Sequence, residues 1–252
     1  MLISERFNFV YLANPKTGTT SIEAAFGKYA DYRSASGPRA KHITVRMFKR
    51  KFRFFESLEK VVCVRDPIST LHSWYRYRQR EIKGRPQNMI PEISFEEFLH
   101  HWSQKDPPSF ADVSSGIEFV LTRDGKLPDI SYFRYEGTPT LHAYLATKVG
   151  EVVPEKMLNQ SSVPETSTLP DPAELNIPKL DRIYEIYRKI PFRNDGRTLG
   201  EMTGGAEVAE EVEKAMGASK RKAGGKAGGK GPKAKRRKQR RAARQASESA
   251  GA

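Results

Sequence analysis

Asn14-Pro15-Lys16-Thr17-Gly18-Thr19-Thr20-Ser21 sets a lysine, a glycine and a run of hydroxyls in one short turn. The apolar run Phe7-Asn8-Phe9-Val10-Tyr11-Leu12 precedes it and predicts a buried strand. Ile22, Ala25 and Phe26 follow at helical spacing, so the turn opens a helix. A strand, a glycine turn and a helix N-terminus together favour an anion. Backbone N–H groups converge there, the helix dipole adds positive potential, and the lysine supplies a movable charge. The residue order narrows the chemistry. A nucleotide-triphosphatase loop reads G-x-x-x-x-G-K-[ST]. Here Lys16 precedes Gly18 and no glycine stands at the upstream position, so a triphosphatase or kinase-like site is excluded as written. A strand–turn–helix that binds nothing remains the plain alternative.

A second element of the same kind starts at Lys60-Val61-Val62-Cys63-Val64-Arg65-Asp66-Pro67. Its apolar run predicts a second buried parallel strand. Pro67 suits the first turn of a helix carrying Ile68, Leu71, Trp74 and Tyr75 on its apolar face. Arg65 at the strand end carries a planar fork that can grip a phosphate dianion bidentately. An Arg-Asp pair capping a helix would produce the same local string.

The loop Pro15-Lys16-Thr17-Gly18-Thr19-Thr20-Ser21 resembles the 5′-phosphosulfate loop of sulfotransferases that use 3′-phosphoadenosine 5′-phosphosulfate, of the carbohydrate and bacterial type. Arg65, Pro67, Ser73 and Tyr75 match that family's R-x-P-x-x-x-x-x-S-x-Y element, which binds the donor's 3′-phosphate. Weaker echoes are Tyr132-Phe133-Arg134-Tyr135-Glu136, like the family's strand with an acidic end before a helix at about 140–149, and Leu158-Asn159-Gln160-Ser161. The resemblance implies a donor site made by Lys16, Thr17, Gly18, Thr19, Thr20, Ser21, Arg65 and Ser73. It implies sulfonate transfer without a metal ion, with Lys16 stabilising the leaving phosphate.

An acceptor hydroxyl needs a base, and the chain has five histidines. His42, in Lys41-His42, is the candidate, because carbohydrate-type members of the family place a lysine-histidine pair at this point. A surface histidine at a helix start is the alternative. His72 neighbours Ser73 but is turned about 100° away on a helix. His100 and His101 read as helix-face residues, and His142 has no evident partner. Glu23, Asp66 and Glu136 are fallback bases, with Glu23 more simply a dipole-stabilising acid. Segments 29–45 and 83–115, with Tyr32, Arg33, Arg39 and Trp102, are expected to face the acceptor, a carbohydrate or glycolipid hydroxyl.

The 252 residues suffice for one α/β domain, expected over 1–202, with a central mostly parallel sheet in three layers. The single cysteine, Cys63, falls in an apolar strand and reads as a core residue. No stretch has transmembrane length and no leader pattern opens the chain, so the expectation is a bacterial cytoplasm. Residues 203–252 carry fourteen Lys or Arg against five acids, a net +9 of the total +14. Its Lys-Ala-Gly-Gly repeats cannot bury a core, which predicts disorder. A short acidic helix over 206–216 is the one element expected there. The string Lys235-Arg236-Arg237-Lys238-Gln239-Arg240-Arg241 suits nonspecific contact with nucleic acid or another polyanion, with no aromatic residue to stack on bases. The competing reading of the whole chain is therefore a nucleotide-sensing or inactive α/β domain that holds nucleic acid through its tail.

Overall fold

Two apolar runs that read as buried strands pair in parallel: β2 (Phe9–Leu12) lies against β4 (Glu59–Val64), with Tyr11 opposite Val61 and Leu12 opposite Val62. The computed structural model describes residues 1–34, 37–80, 86–154 and 169–193. β5 (Ser131–Arg134) pairs in parallel on the other side of β4, with Val64 opposite Arg134. Two short strands were not expected. β1 (Leu2–Ser4) forms an antiparallel hairpin with β2, and β3 (Tyr32–Arg33) pairs antiparallel with β1. The α/β sheet is thus mixed, in the order β3-β1-β2-β4-β5. Its core of β2, β4 and β5 is parallel as expected, while the β3-β1 edge is antiparallel and was not. Phe7 and Asn8, read as strand, instead form the hairpin turn, with Asn8 at φ 50°.

The helices are α1 (Thr19–Phe26), α2 (Pro38–Lys41), α3 (Val45–Lys51), α4 (Pro67–Arg78), α5 (Phe95–Ser103), α6 (Ile117–Val120), α7 (Thr138–Val149) and α8 (Pro178–Tyr187). Side chains alternate across a strand, so β2 and β4 each supply two buried sets. Val10, Leu12, Val62 and Val64 join Phe48 of α3, Leu71 of α4, Phe98 and Trp102 of α5, Val120 of α6 and Leu180 of α8 in one core. Phe9, Tyr11, Val61 and Cys63 are fully buried as well but lie outside that cluster. Near them Phe133 of β5 meets Tyr144 of α7 at 5.0 Å, and Phe26 of α1 meets His142 of α7 at 4.9 Å. Strands buried on both faces account for their continuous apolar runs. Trp102 is 1% exposed and donates its indole N–H to the Val113 carbonyl at 3.0 Å. It belongs to the core, which corrects its placement on an acceptor-facing loop. Among the described residues no helix is long and apolar enough to cross a membrane.

α4 begins as its sequence suggests. Pro67 occupies the first turn, and the Asp66 carboxylate caps the helix by accepting from the Ser69 N–H at 3.0 Å. The Tyr184 hydroxyl of α8 also donates to Asp66, at 2.9 Å, which fixes the helix start against the core.

Glu59 ties the parallel strands to α7. Its carboxylate accepts from Ser131 Oγ at 2.5 Å, Tyr144 Oη at 2.6 Å and Lys148 Nζ at 2.5 Å. Burial alone would raise its pKa, but the bonds from Lys148, Ser131 and Tyr144 outweigh it and hold the carboxyl below its ordinary 4.5. The stability this gives is fully present above 4.5 and is lost as pH falls through the lower folded value. Glu59→Gln is expected to lower unfolding free energy by about 2 kcal/mol at pH 7, measured by urea denaturation. The gap to the wild type should close as pH falls below 4.5 and through the lower folded value. Equal stability at pH 7 would show that the latch contributes nothing.

Candidate functional site

Parallel pairing brings three chain turns to one edge. Ala13 to Gly18 follow β2, Arg65 and Asp66 follow β4, and Tyr135 follows β5, all at the carboxyl ends of the strands. Open α/β sheets bind ligands outside that edge. The register makes Arg65 and Tyr135 neighbours, since each is one residue past the paired Val64 and Arg134. The Arg65 guanidinium accordingly lies over the Tyr135 ring, 4.6 Å from its centroid. A side-chain carbon built on Gly18 would touch the same ring at 3.8 Å. Tyr135 therefore sits between the two elements that the sequence pointed to separately.

The loop after β2 has an unusual backbone. Lys16 and Gly18 both adopt positive φ, at 65° and 67°, while Thr17 between them does not. Left-handed backbone suits glycine and strains lysine. Alternation of this kind turns successive N–H groups toward one centre, a nest for an anion. Among the described residues, the N–H groups of Lys16, Thr17, Gly18, Thr19 and Thr20 find no acceptor within the protein. The first backbone bonds after them run from Ser21 and Ile22 to the Gly18 carbonyl, at 3.0 and 3.4 Å.

Side chains hold the loop in this shape. Thr17 Oγ1 donates to the Asn14 carbonyl at 2.8 Å. Asn14 Nδ2 donates to the carbonyls of Cys63 on β4 and Gly116 before α6, at 3.1 and 3.3 Å. The Thr17 hydroxyl is thus committed to the turn, and this residue offers a ligand its N–H. Asn14 Oδ1, Thr70 Oγ1 and Trp74 Nε1 are buried without a hydrogen-bond partner among the described residues. Such atoms are uncommon in native proteins; these three stand beside the loop, while both ring nitrogens of His142 on α7 are in the same condition.

Lys16 reaches α4. Its ammonium stands 4.8 Å from the Trp74 ring centroid and 4.4 Å from that of Tyr77. Those residues are three apart and share a helix face. Burial, with repulsion from Arg65, Arg80 and Arg78 added to it, lowers the Lys16 pKa to about 8. The strongest charges acting on Lys16 are all positive, so a bound anion would relieve both causes. Arg65 is itself buried and donates from Nε to Ser69 Oγ at 2.7 Å. Ser69, one turn before Ser73, is the hydroxyl that Arg65 holds. Ser73 lies half-buried on α4, one turn further along the same face.

His42 falls between α2 and α3, beside the start of the loop. A carbonyl can only accept, so Nδ1–H donates to the Ala13 oxygen, at 2.7 Å, and Nε2 keeps its lone pair. Burial, opposed by that bond and assisted by the Lys41 charge, lowers its pKa and favours the neutral ring. Lys41 Nζ donates to Thr20 Oγ1 at 3.2 Å and pairs with Glu23 at 2.9 Å. Burial would raise the Glu23 pKa, but hydrogen bonds from the Met1 ammonium and Lys41 overcome it and lower the value, making Glu23 a poor base. Asp66 is committed to its cap, and Glu136 is exposed in the short turn Tyr135–Gly137. A cleft of about 180 Å³ opens beside Lys41, lined also by Glu23, Arg33 and Ser34 of the segment expected to face the acceptor.

His72 is buried against Tyr75 and Phe95, and His101 packs on Phe110. His142 is buried and pushed down to about 4 by desolvation. Asn159 and Ser161, and the whole of 203–252 with its acidic 206–216 stretch, lie outside the described residues. The sequence reading overlooked Tyr135 as a site residue, and with it Trp74 and Tyr77. The i, i+3 pair of aromatics facing an arginine-rich helix end was the available signal. Among the described residues no three His, Cys, Asp or Glu side chains are grouped to hold a metal ion. Comparison with family models, with curated proteins and with solved structures finds no match to this chain.

Proposed function

We propose that this chain is a sulfotransferase that takes its sulfonate from 3′-phosphoadenosine 5′-phosphosulfate and passes it to a hydroxyl of a carbohydrate or glycolipid. The observation that carries this reading is the nest at Lys16–Thr20, whose five N–H groups lack acceptors among the described residues, beside a lysine crowded by guanidinium groups. In this reading the helices on the two buried faces make three layers, and the loop between β2 and α1 is the phosphate loop.

The donor supplies an activated sulfur–oxygen bond, and the residues position and neutralise. The N–H groups of the nest and the hydroxyls of Thr19, Thr20 and Ser21 suit the 5′-phosphosulfate. Lys16 adds its charge where negative charge grows on the bridging oxygen as that bond breaks. Arg65 and Ser73, with Ser69, suit the 3′-phosphate. The Tyr135, Trp74 and Tyr77 rings offer flat apolar surface near both cationic groups. His42 accepts the acceptor's proton at Nε2 as its oxygen attacks sulfur, while Nδ1–H stays bonded to Ala13. The imidazolium returns that proton to solvent after transfer. Positioning and charge stabilisation of this kind need no covalent intermediate.

Adenosine 3′,5′-bisphosphate, the product left after transfer, is expected to bind the intact protein with micromolar Kd by calorimetry. Lys16→Ala and Arg65→Ala should each weaken it at least tenfold, the scale of a lost charge-assisted bond at about 1.4 kcal/mol or more. Because free Lys16 titrates near 8, binding should weaken as pH rises beyond that value, by up to about tenfold per pH unit. Lys16→Met should lack this limb. No binding by the intact protein would sink the reading.

His42→Ala should retain bisphosphate affinity and lose about 10²–10⁴-fold in sulfonate transfer, measured with labelled donor and a panel of sugar acceptors. Normal transfer by that variant would remove His42 from the mechanism. Bisphosphate binding with no transfer to any acceptor would favour the sensing domain instead.

A further inference from the structure

Immediately after His42 the chain builds an exposed cationic face. Thr44 caps α3 by accepting from the Met47 N–H at 3.3 Å, while Val45 and Phe48 turn into the core. That orientation sends Arg46, Lys49 and Arg50 outward, within an arc of roughly 100° at 3.6 residues per turn. Lys51 and Arg53 are exposed as well. Among the described residues none of these five side chains has an ion-pair partner. The short turn Arg53–Phe55 follows at once and carries Phe54 at 96% exposure, far above the other exposed large apolar residues. Lys60 closes the turn by donating to the Glu56 carbonyl, and lies near enough to Lys49 for their charges to repel. Turn and helix face are therefore contiguous.

A lone exposed aromatic is ordinary, and so is a charged helix face. Their combination is more specific. Five such cations in eight residues gain from a dense layer of negative charge. A fully projecting phenyl ring gains only where it can leave water next to that layer, which the headgroup and acyl boundary of a bilayer provides. A polysaccharide or a duplex would satisfy the charges and leave the ring in solvent. A single strand could stack on the ring, but one aromatic offers one stacking position only.

We propose that α3 and the Arg53–Phe55 turn form a docking surface for an anionic lipid bilayer, with Phe54 entering the interface and Arg46, Lys49 and Arg50 set against the headgroups. This does not depend on the reaction assigned above. The surface begins a few residues along the chain from Lys41, which lines the cleft described above.

The basic residues beyond 203 would also attract anionic vesicles, so the test must report on residue 54 itself. Full-length Phe54→Trp is mixed with vesicles of phosphatidylcholine and phosphatidylserine, some brominated in the acyl chain. The expected result is a blue shift and bromine quenching of the added indole beyond the signal of wild-type Trp74 and Trp102. It should vanish with pure phosphatidylcholine. Phe54→Ala and the triple change Arg46→Gln, Lys49→Gln, Arg50→Gln should each raise the vesicle dissociation constant at least about fivefold, with unchanged circular dichroism. Vesicle binding without bromine quenching would overturn the proposal and assign attraction to charges elsewhere. Quenching by single-stranded DNA in place of bromolipid would overturn it in favour of a nucleic-acid surface.

Discussion

Parallel pairing of β2, β4 and β5 is the constraint from which the rest of the site follows. Only parallel neighbours deliver successive strand ends to the same edge, so the loop at 14–18, Arg65 and Tyr135 become neighbours although they lie far apart in sequence. Register then sets the finer positions. β4 runs two residues beyond the β2 pairing, to Val64, and turns Arg65 over Tyr135. A one-residue slip would exchange the two faces and put Val61 and Cys63 where Val62 and Val64 pack, so the different packing of the two buried faces fixes the geometry of the edge.

The cost of that edge is visible in its polar groups. Lys16 sits in a left-handed conformation that costs a non-glycine residue about 1 kcal/mol or more. Its ammonium is desolvated and faces guanidinium groups, so its proton is held less tightly than in water. Asn14 Oδ1 and Trp74 Nε1 are buried without donors or acceptors to meet them among the described residues. Each feature opposes stability, and the fold tolerates them because Asn14 and Thr17 bond the loop to β4 and to itself. Strain, a desolvated lysine repelled by nearby guanidinium groups, and N–H groups without acceptors among the described residues share a common remedy, a ligand with several negative oxygens.

Much of this was legible in the sequence because it depends on local pattern. The apolar runs ending before Asn14 and Arg65, the helical spacing of Ile22, Ala25 and Phe26, and Pro67 at a helix start are short-range signals, and each element formed. Boundaries and edges were less legible. β1 and β3 are too short to show a period, and they exist because β2 supplies a partner. Trp102 read as a loop aromatic since its chain neighbours are polar, whereas α5 turns it onto the core beside Phe98. Tyr135 was not legible as a site residue at all, because its position depends on the register between β4 and β5. The pairing of Arg65 with Ser69 likewise follows from a helix turn that a spacing pattern to Ser73 passes over.

His42 shows how a weak local signal gains meaning from long-range structure. A histidine after a lysine in a polar stretch says little alone. The carbonyl it bonds belongs to Ala13, just ahead of the loop, so its ring cannot move independently of the nest. The same bond settles the tautomer, and partial burial keeps the ring neutral. The candidate base and the anion nest are therefore held by one stretch of backbone, with Lys41 reaching from the neighbouring position to Thr20 on α1. From Thr44 onward the chain turns outward, as α3 buries Val45 and Phe48 and presents its cations to solvent. One continuous segment thus joins the loop, the histidine and the exposed basic face.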